Sequence, residues 1–276
     1  MTLVTLSEVL QPALRDGYAV AGLVVLGWED ARAYVAAAEA EDLPVILQAG
    51  PGCRAHTPLP VLAAMFRHLG ERAAVPVVAH LDHGYSADDC REAIDCGFTS
   101  VMFDGSKLPL ADNIAQTAAI ARMARAAGVS IEGEIGIVGY ADGAASTGTD
   151  PGEARRFAAE TGVDAMAVSV GNVHLQRTAG TQIDRTALDA IEAVTGVPLV
   201  LHGSSGIPAQ VRSDLARTSN VCKFNVGTEL RQVFGAALRQ TLAERPEEFD
   251  RIKLLSTTEA PLTDAARTVL RTLAGR

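Results

Sequence analysis

The segment His80-Leu81-Asp82-His83-Gly84 follows the apolar run VPVVA and sets a carboxylate between two imidazoles where a buried strand should end. Such an acid is costly to bury unless it is paired, ligated or used. Two more histidines stand in comparable places, His174 after DAMAVSV and His202 at the end of VPLVLH. Together His83, His174 and His202 match what a catalytic Zn2+ needs, which is three protein ligands and one position left open for substrate. Asp82 immediately precedes one proposed ligand. Alternation along the strand end should aim it differently from His83 while keeping it near the metal. There it could remove a proton beside a metal-bound carbonyl; its other reading is to orient a ligand imidazole. Asp104 and Glu134 could hold a second or alternative cation, or partner an arginine. His56 and His68 have no such company, and His80, inside the apolar run, reads as hydrogen-bonded support.

Side chains of these kinds must be delivered to one place by the elements that carry them. Short apolar, β-branched runs alternate with longer alanine-rich amphipathic segments. The first half reads AVAGLVV then WEDARAYVAAAEAE, PVILQ then PLPVLAAMFRHLGER, VPVVAHL then SADDCREAIDCG, and TSVMFD then LADNIAQTAAIARMARAAG. The second half reads VSIEGEI then GEARRFAAETG, DAMAVSV then RTALDAIEAVTG, VPLVLHG then PAQVRSDLARTS, and NVCKFNV then ELRQVFGAALRQTLAE. Strands that are apolar on both faces and separated by helices pair in parallel, because each return crossover needs a helix. Eight such units in 276 residues favour one closed (β/α)8 TIM barrel over an open doubly wound sheet. TLSEVLQPALRDG and TDAARTVLRTLAG read as extra terminal helices. Gly97, Gly128, Gly162 and Gly196 are expected as left-handed caps that end helices.

In a parallel barrel the functional loops leave the carboxyl ends of the strands. Asp82 and His83 follow the third run, Asp104 and Ser106 the fourth, Glu132 and Glu134 close the fifth, His174 follows the sixth, and His202 and Asn225 end the seventh and eighth. All would converge on one mouth. HGSSG and NVGT, after the last two strands, bring glycines and small residues to the place where barrels commonly bind phosphate.

The bulk properties narrow the alternatives. A composition 48% hydrophobic and 4% aromatic builds an aliphatic core, and a net charge of -9 without a basic stripe argues against a nucleic-acid partner. The N-terminus lacks a signal-peptide pattern and no apolar run is long enough for a membrane span, so a cytoplasmic chain is expected. Cys53, Cys90, Cys96 and Cys222 lack C-x-x-C spacing and are expected to be reduced.

PVVAHLDHG, SVMFDGS, IEGEIG, VSVGNVH, PLVLHGSSGI and CKFNVGTEL, in this order, resemble the class II, zinc-dependent fructose-1,6-bisphosphate and tagatose-1,6-bisphosphate aldolases, from about Tyr18 to Leu238. The resemblance implies that His83, His174 and His202 bind zinc and Asp82 is the base. It further implies that Asp104 and Glu134 serve a second or alternative metal, alongside a monovalent cation in some members. The backbone near Gly203, with Ser205, Asn225 and Thr228, would hold a phosphorylated donor. A ketose and an aldehyde would be the substrates, and a homodimer or homotetramer the assembly. Zinc would polarise the ketone, Asp82 would deprotonate the adjacent carbon, and an enediolate stabilised by metal and the Asn225 amide would attack the aldehyde. A Schiff-base route would need a desolvated lysine, and only Lys107, Lys223 and Lys253 exist.

Several positions depart from the family pattern. Val24 stands where an asparagine is usual, Gly50 where a serine or threonine is, and Leu175 where a glycine follows the histidine; the loop GIVGYADGAASTG keeps Asp142 as its one carboxylate. Retained ligands with altered donor contacts imply the same reaction on a changed substrate. A metal-dependent sugar-phosphate isomerase or epimerase would share the metal, base and anion site, and a non-catalytic barrel subunit is the third reading.

Overall fold

A computed structural model describes residues 2–141 and 143–276; Asp142 lies outside the described residues. Eight parallel strands close into a barrel in sequence order. They are β1 (Val20–Val24), β2 (Val45–Ala49), β3 (Val77–Gly84), β4 (Ser100–Phe103), β5 (Ser130–Ile135), β6 (Ala165–Val168), β7 (Leu199–Leu201) and β8 (Val221–Val226). Each is buried along almost its whole length, which is why they read as continuous apolar runs.

The helices are α1 (Leu6–Asp16), α2 (Trp28–Glu41), α3 (Pro51–His56), α4 (Leu59–Arg72), α5 (Ala87–Cys96), α6 (Leu110–Ala126), α7 (Pro151–Thr161), α8 (Arg185–Glu192), α9 (Ala209–Thr218), α10 (Thr228–Glu244), α11 (Arg251–Ser256) and α12 (Glu259–Leu273). Their starts follow local chemistry. Thr5 with Glu8 and Ser86 with Asp89 form reciprocal capping boxes that satisfy backbone N–H groups left free at the first turn. The expected terminal helices are α1 and α12. Sequence periodicity did not foresee α3 and α11, each only six residues long.

Gly97 and Gly162 cap α5 and α7 with left-handed backbones, and Gly128 adopts the same conformation one residue beyond the α6 cap. Gly196 does not. The α8 helix stops at Glu192 with a right-handed cap at Ala193, because the β-branched pair Val194 and Thr195 leaves the helix before the glycine is reached.

Two apolar layers hold the frame. Between sheet and helices lies an aliphatic shell in which the alanines of α2 pack closely against α12. Inside the barrel, Val20, Ile46, Val78, Met102, Ala165, Ala167, Val200 and Cys222 form a floor covered from below by Leu6, Val9, Leu10 and Ala13 of α1. Above that floor the barrel interior turns polar. All four cysteines are free thiols.

Candidate active site

His80 and Asp82, two residues apart on β3, share the face that looks into the barrel, as do Glu132 with Glu134 on β5 and Lys223 with Asn225 on β8. His83 should by alternation face away with Leu81. Its backbone is instead left-handed, at φ 52°, and the β3–β4 register shifts between Leu81 and Gly84. This kink brings both Asp82 and His83 to the mouth. Arg54 of α3 fastens it: Nη1 donates to the carbonyls of Ala49 and Asp82 at 2.7 and 2.6 Å, and Nη2 to that of His83 at 2.9 Å.

The three imidazoles meet as expected. Ring centroids lie 4.7 Å apart for His83 and His202, 5.3 Å for His83 and His174, and 5.6 Å for His174 and His202. One nitrogen of each lies within 4.8 Å of the others. Their outer contacts differ. His83 Nδ1 lies 2.9 Å from Asp104 Oδ2, whose partner oxygen accepts from the Ser106 amide and hydroxyl. His202 Nε2 lies 3.0 Å from Glu132 Oε1, leaving Nδ1 to face His83 Nε2 at 3.0 Å. His174 is stacked by Tyr140 at 4.9 Å, and its backbone is joined to the β5–α7 loop through Gly139 and Ala141.

This donor set suits a divalent cation. Tetrahedral zinc with Zn–N bonds of about 2.05 Å would separate two ligand nitrogens by roughly 3.3 Å, close to the His83–His202 spacing. Glu134 Oε2 is buried without a hydrogen-bond partner, and with His83 and Asp104 it forms a second group able to hold a metal. The expected Asp104 and Glu134 therefore do come together, and neither partners an arginine among the described residues.

Electrostatics follow the same arrangement. Burial disfavours charge on His83, but the Asp82 and Asp104 carboxylates outweigh it and push its pKa up to about 9. Burial would raise Asp104, yet the hydrogen bonds from His83 and Ser106 hold it well below the usual carboxylate range. Asp82 is likewise lowered, with His83 and His202 overcoming burial. Burial and the neighbouring Asp104 charge push Glu134 up to about 8. Burial and the charged His83 lower His174 to about 4, and the same two causes hold His202 well below the usual imidazole value. In the metal-free protein the proton on His83 occupies charge space that a cation would take over, so metal binding must release it.

His83 and His174 border a cavity of about 290 Å³ that also contacts Asp82, Gly203, Ser205, Asn225 and Thr228, while His202 is fully buried beside His83. Asp82, Asn225, Gly203, Ser205 and Thr228 thus line one space with two of the three expected imidazoles, and His202 lies off it. Ser205 Oγ accepts from the amides of Gly227 and Glu229, tying the β7 and β8 loops together. Gly203 has φ 65°, and an added Cβ would run into the Val173 carbonyl. Asn225 Nδ2 donates to Asp82 Oδ1 at 3.4 Å while its own oxygen lacks a partner. Val24 and Leu175 border the cavity, and Gly50 places only hydrogen near Asp82 Oδ2, where a Cβ would come within 3.2 Å.

Glu132, expected at the mouth, lies fully buried against Lys223, whose inward place its spacing of two from Asn225 could have revealed. No spacing announced Arg54, which acts from a short helix on backbone atoms 28 and 29 residues away.

Comparison with known proteins agrees with this geometry. The family described as fructose-bisphosphate aldolase class-II matches residues 4–275. A fructose-bisphosphate aldolase of Geobacillus stearothermophilus is 38% identical over 262 residues, covering 92% of this chain and 91% of its own. A 6-phospho-5-dehydro-2-deoxy-D-gluconate aldolase of Shouchella clausii is 38% identical over 258 residues, covering 91% and 87%. The crystal structure of the YdjI aldolase from Escherichia coli K12 superimposes with a TM-score of 0.86 at 28% identity, covering 98% of this chain and 97% of that one.

Proposed function

We propose, from the premise that this chain belongs to the class II fructose-bisphosphate aldolase family, that it is the lyase for a phosphorylated ketose, with His83, His174 and His202 as its zinc ligands and Asp82 as its base. The observation that carries this reading is a cluster of three imidazoles, two of which share with the Asp82 carboxylate the same 290 Å³ cavity as a glycine- and hydroxyl-lined wall. When bound, Zn2+ supplies a Lewis acid that polarises the ketone carbonyl.

The protein's own groups do the rest. Asp82, kept ionised by His83 and His202, takes the proton from the carbon beside the ketone in the condensation direction. The Asn225 amide, hydrogen-bonded to Asp82, is placed to donate to the enediolate oxygen as charge develops. The backbone at Gly203 and the first turn of α10 at Thr228, with the Ser205 hydroxyl between them, hold the donor phosphate. Asp104 orients His83 and, with Glu134, forms a second or alternative cation position. The two relatives from Geobacillus stearothermophilus and Shouchella clausii are named for different phosphorylated substrates, which supports a ketose phosphate as the substrate class. Val24, Gly50 and Leu175 are where this chain's substrate differs from the usual one. The reading goes with a homo-oligomer in the cytoplasm; no helix among the described residues is long and apolar enough to cross a membrane.

The test is solvent deuterium exchange into dihydroxyacetone phosphate or a related ketone donor, with no aldehyde present. Zinc-loaded protein should exchange the donor proton, Asp82→Ala should retain zinc and lose exchange by about 10²–10⁴-fold, and chelation should abolish it. Full activity after metal removal would end the reading. Unchanged exchange in Asp82→Ala would move the base elsewhere. Carbon-carbon bond formation on adding aldehydes separates an aldolase from an isomerase.

A further inference from the structure

Beneath the proposed metal position the barrel interior holds a lysine that the reaction above does not use. Lys223, Glu132, His80 and His202 are all fully buried. Lys223 Nζ lies 2.6 Å from Glu132 Oε2 and 3.3 Å from His80 Nε2. His80 Nδ1 lies 2.8 Å from Ser100 Oγ, and Glu132 Oε1 lies 3.0 Å from His202 Nε2.

The hydrogen-bond inventory of these groups fixes every proton along the line. An ammonium can only donate, so His80 must accept at Nε2 and carry its hydrogen on Nδ1, facing Ser100. A carboxylate can only accept, so Glu132 takes a bond from Lys223 on one oxygen and from His202 Nε2–H on the other. His202 is left with its lone pair on Nδ1, the nitrogen that faces His83.

Resting on the proposed zinc site, we propose that Lys223 is a positioning residue for the metal: it holds the Glu132 carboxylate in place as an acceptor, and Glu132 in turn presents the His202 Nδ1 lone pair to the cation. Among the described residues Lys223 is the one cationic side chain paired with Glu132. An unpaired carboxylate above the apolar barrel floor has neither neutralisation nor a fixed rotamer. The lysine is therefore engaged as a cation and is not the free amine that a Schiff base requires.

The experiment measures the Zn2+ dissociation constant of the full chain by chelator competition, in parallel with thermal unfolding. Loss of an outer hydrogen-bond partner of a ligand histidine weakens metal binding by about 10–100-fold, and Lys223→Met should do so. The same substitution made on top of His202→Ala should weaken binding no further, because its route to the metal is gone. Equal losses in both backgrounds, or a lower unfolding temperature with unchanged zinc affinity, would overturn the inference. If Lys223→Met does not fold, the uncharged pair Glu132→Gln with Lys223→Met decides: weakening by about 10-fold supports the relay, and wild-type affinity overturns it. Wild-type chain that binds no zinc would overturn this inference together with the proposed zinc site. Zinc binding lost in His202→Ala but kept in Lys223→Met would overturn this inference alone.

Discussion

Arg54→Ala should loosen the end of β3 without touching any group that contacts metal. The guanidinium donates to three backbone carbonyls at 2.6–2.9 Å, two of them on Asp82 and His83. Bonds to a charged donor contribute about 1.5–3 kcal/mol each, but three that share one partly exposed side chain do not add fully, since water can replace part of them. The left-handed backbone of His83 costs roughly 1–2 kcal/mol by itself, and the clamp is what opposes its relaxation. A net loss of about 3 kcal/mol follows. At about 2–4 °C per kcal/mol for a chain somewhat below this size, the unfolding temperature should fall by roughly 6–12 °C. Because His83 would swing with the relaxing strand, zinc affinity should drop by at least about 10-fold as well. Calorimetry and chelator competition on the purified variant measure both. Arg54→Lys should recover less than half, since one ammonium cannot reproduce the planar fork. An unfolding temperature within about 2 °C of wild type, with zinc affinity unchanged, would refute the clamp.

Two further outcomes follow from the site. Gly203→Ala introduces a Cβ against the Val173 carbonyl at a left-handed position, so it should raise the KM for the phosphorylated donor by about 10-fold or more and lower stability by roughly 1–3 kcal/mol; steady-state kinetics and denaturant unfolding measure these. Metal-free protein should be most stable near pH 6.5. His83, raised to about 9, gives stability that is present below 6.5 and lost as pH climbs through 9, and Glu134, raised from 4.5 to about 8, lowers stability across that interval because the unfolded chain gives up the proton first. Below 6.5 the lowered His80, His174 and His202 must gain protons in the unfolded chain first, which favours unfolding as acid is added. Unfolding of chelator-treated protein across pH 5–9 would contradict these assignments if stability rose steadily towards alkali.

The barrel was legible because strands buried on both faces leave an uninterrupted apolar signature, and because eight of them alternate with alanine-rich helices. The mouth was legible because rare side chains fall just where those runs end. His83, His174, His202 and Asp82 needed no contact information beyond that rule. Short connecting helices left no periodic trace, so α3 and its arginine went unseen. Gly196 shows the opposite failure: a glycine in the right place is only permissive, and two β-branched residues before it had already ended the helix. Lys223 was read for what its amine could attack, whereas its two-residue spacing from Asn225 already placed it on the inward face, where charge must be matched.

The α1 helix closes the lower end of the barrel with aliphatic carbon. The enclosed lysine and glutamate thus have hydrocarbon on the α1 side and His202 on the other. A ligand seated above His202 would bury that pair one layer deeper, so its two charges answer chiefly to each other and little to the solution outside.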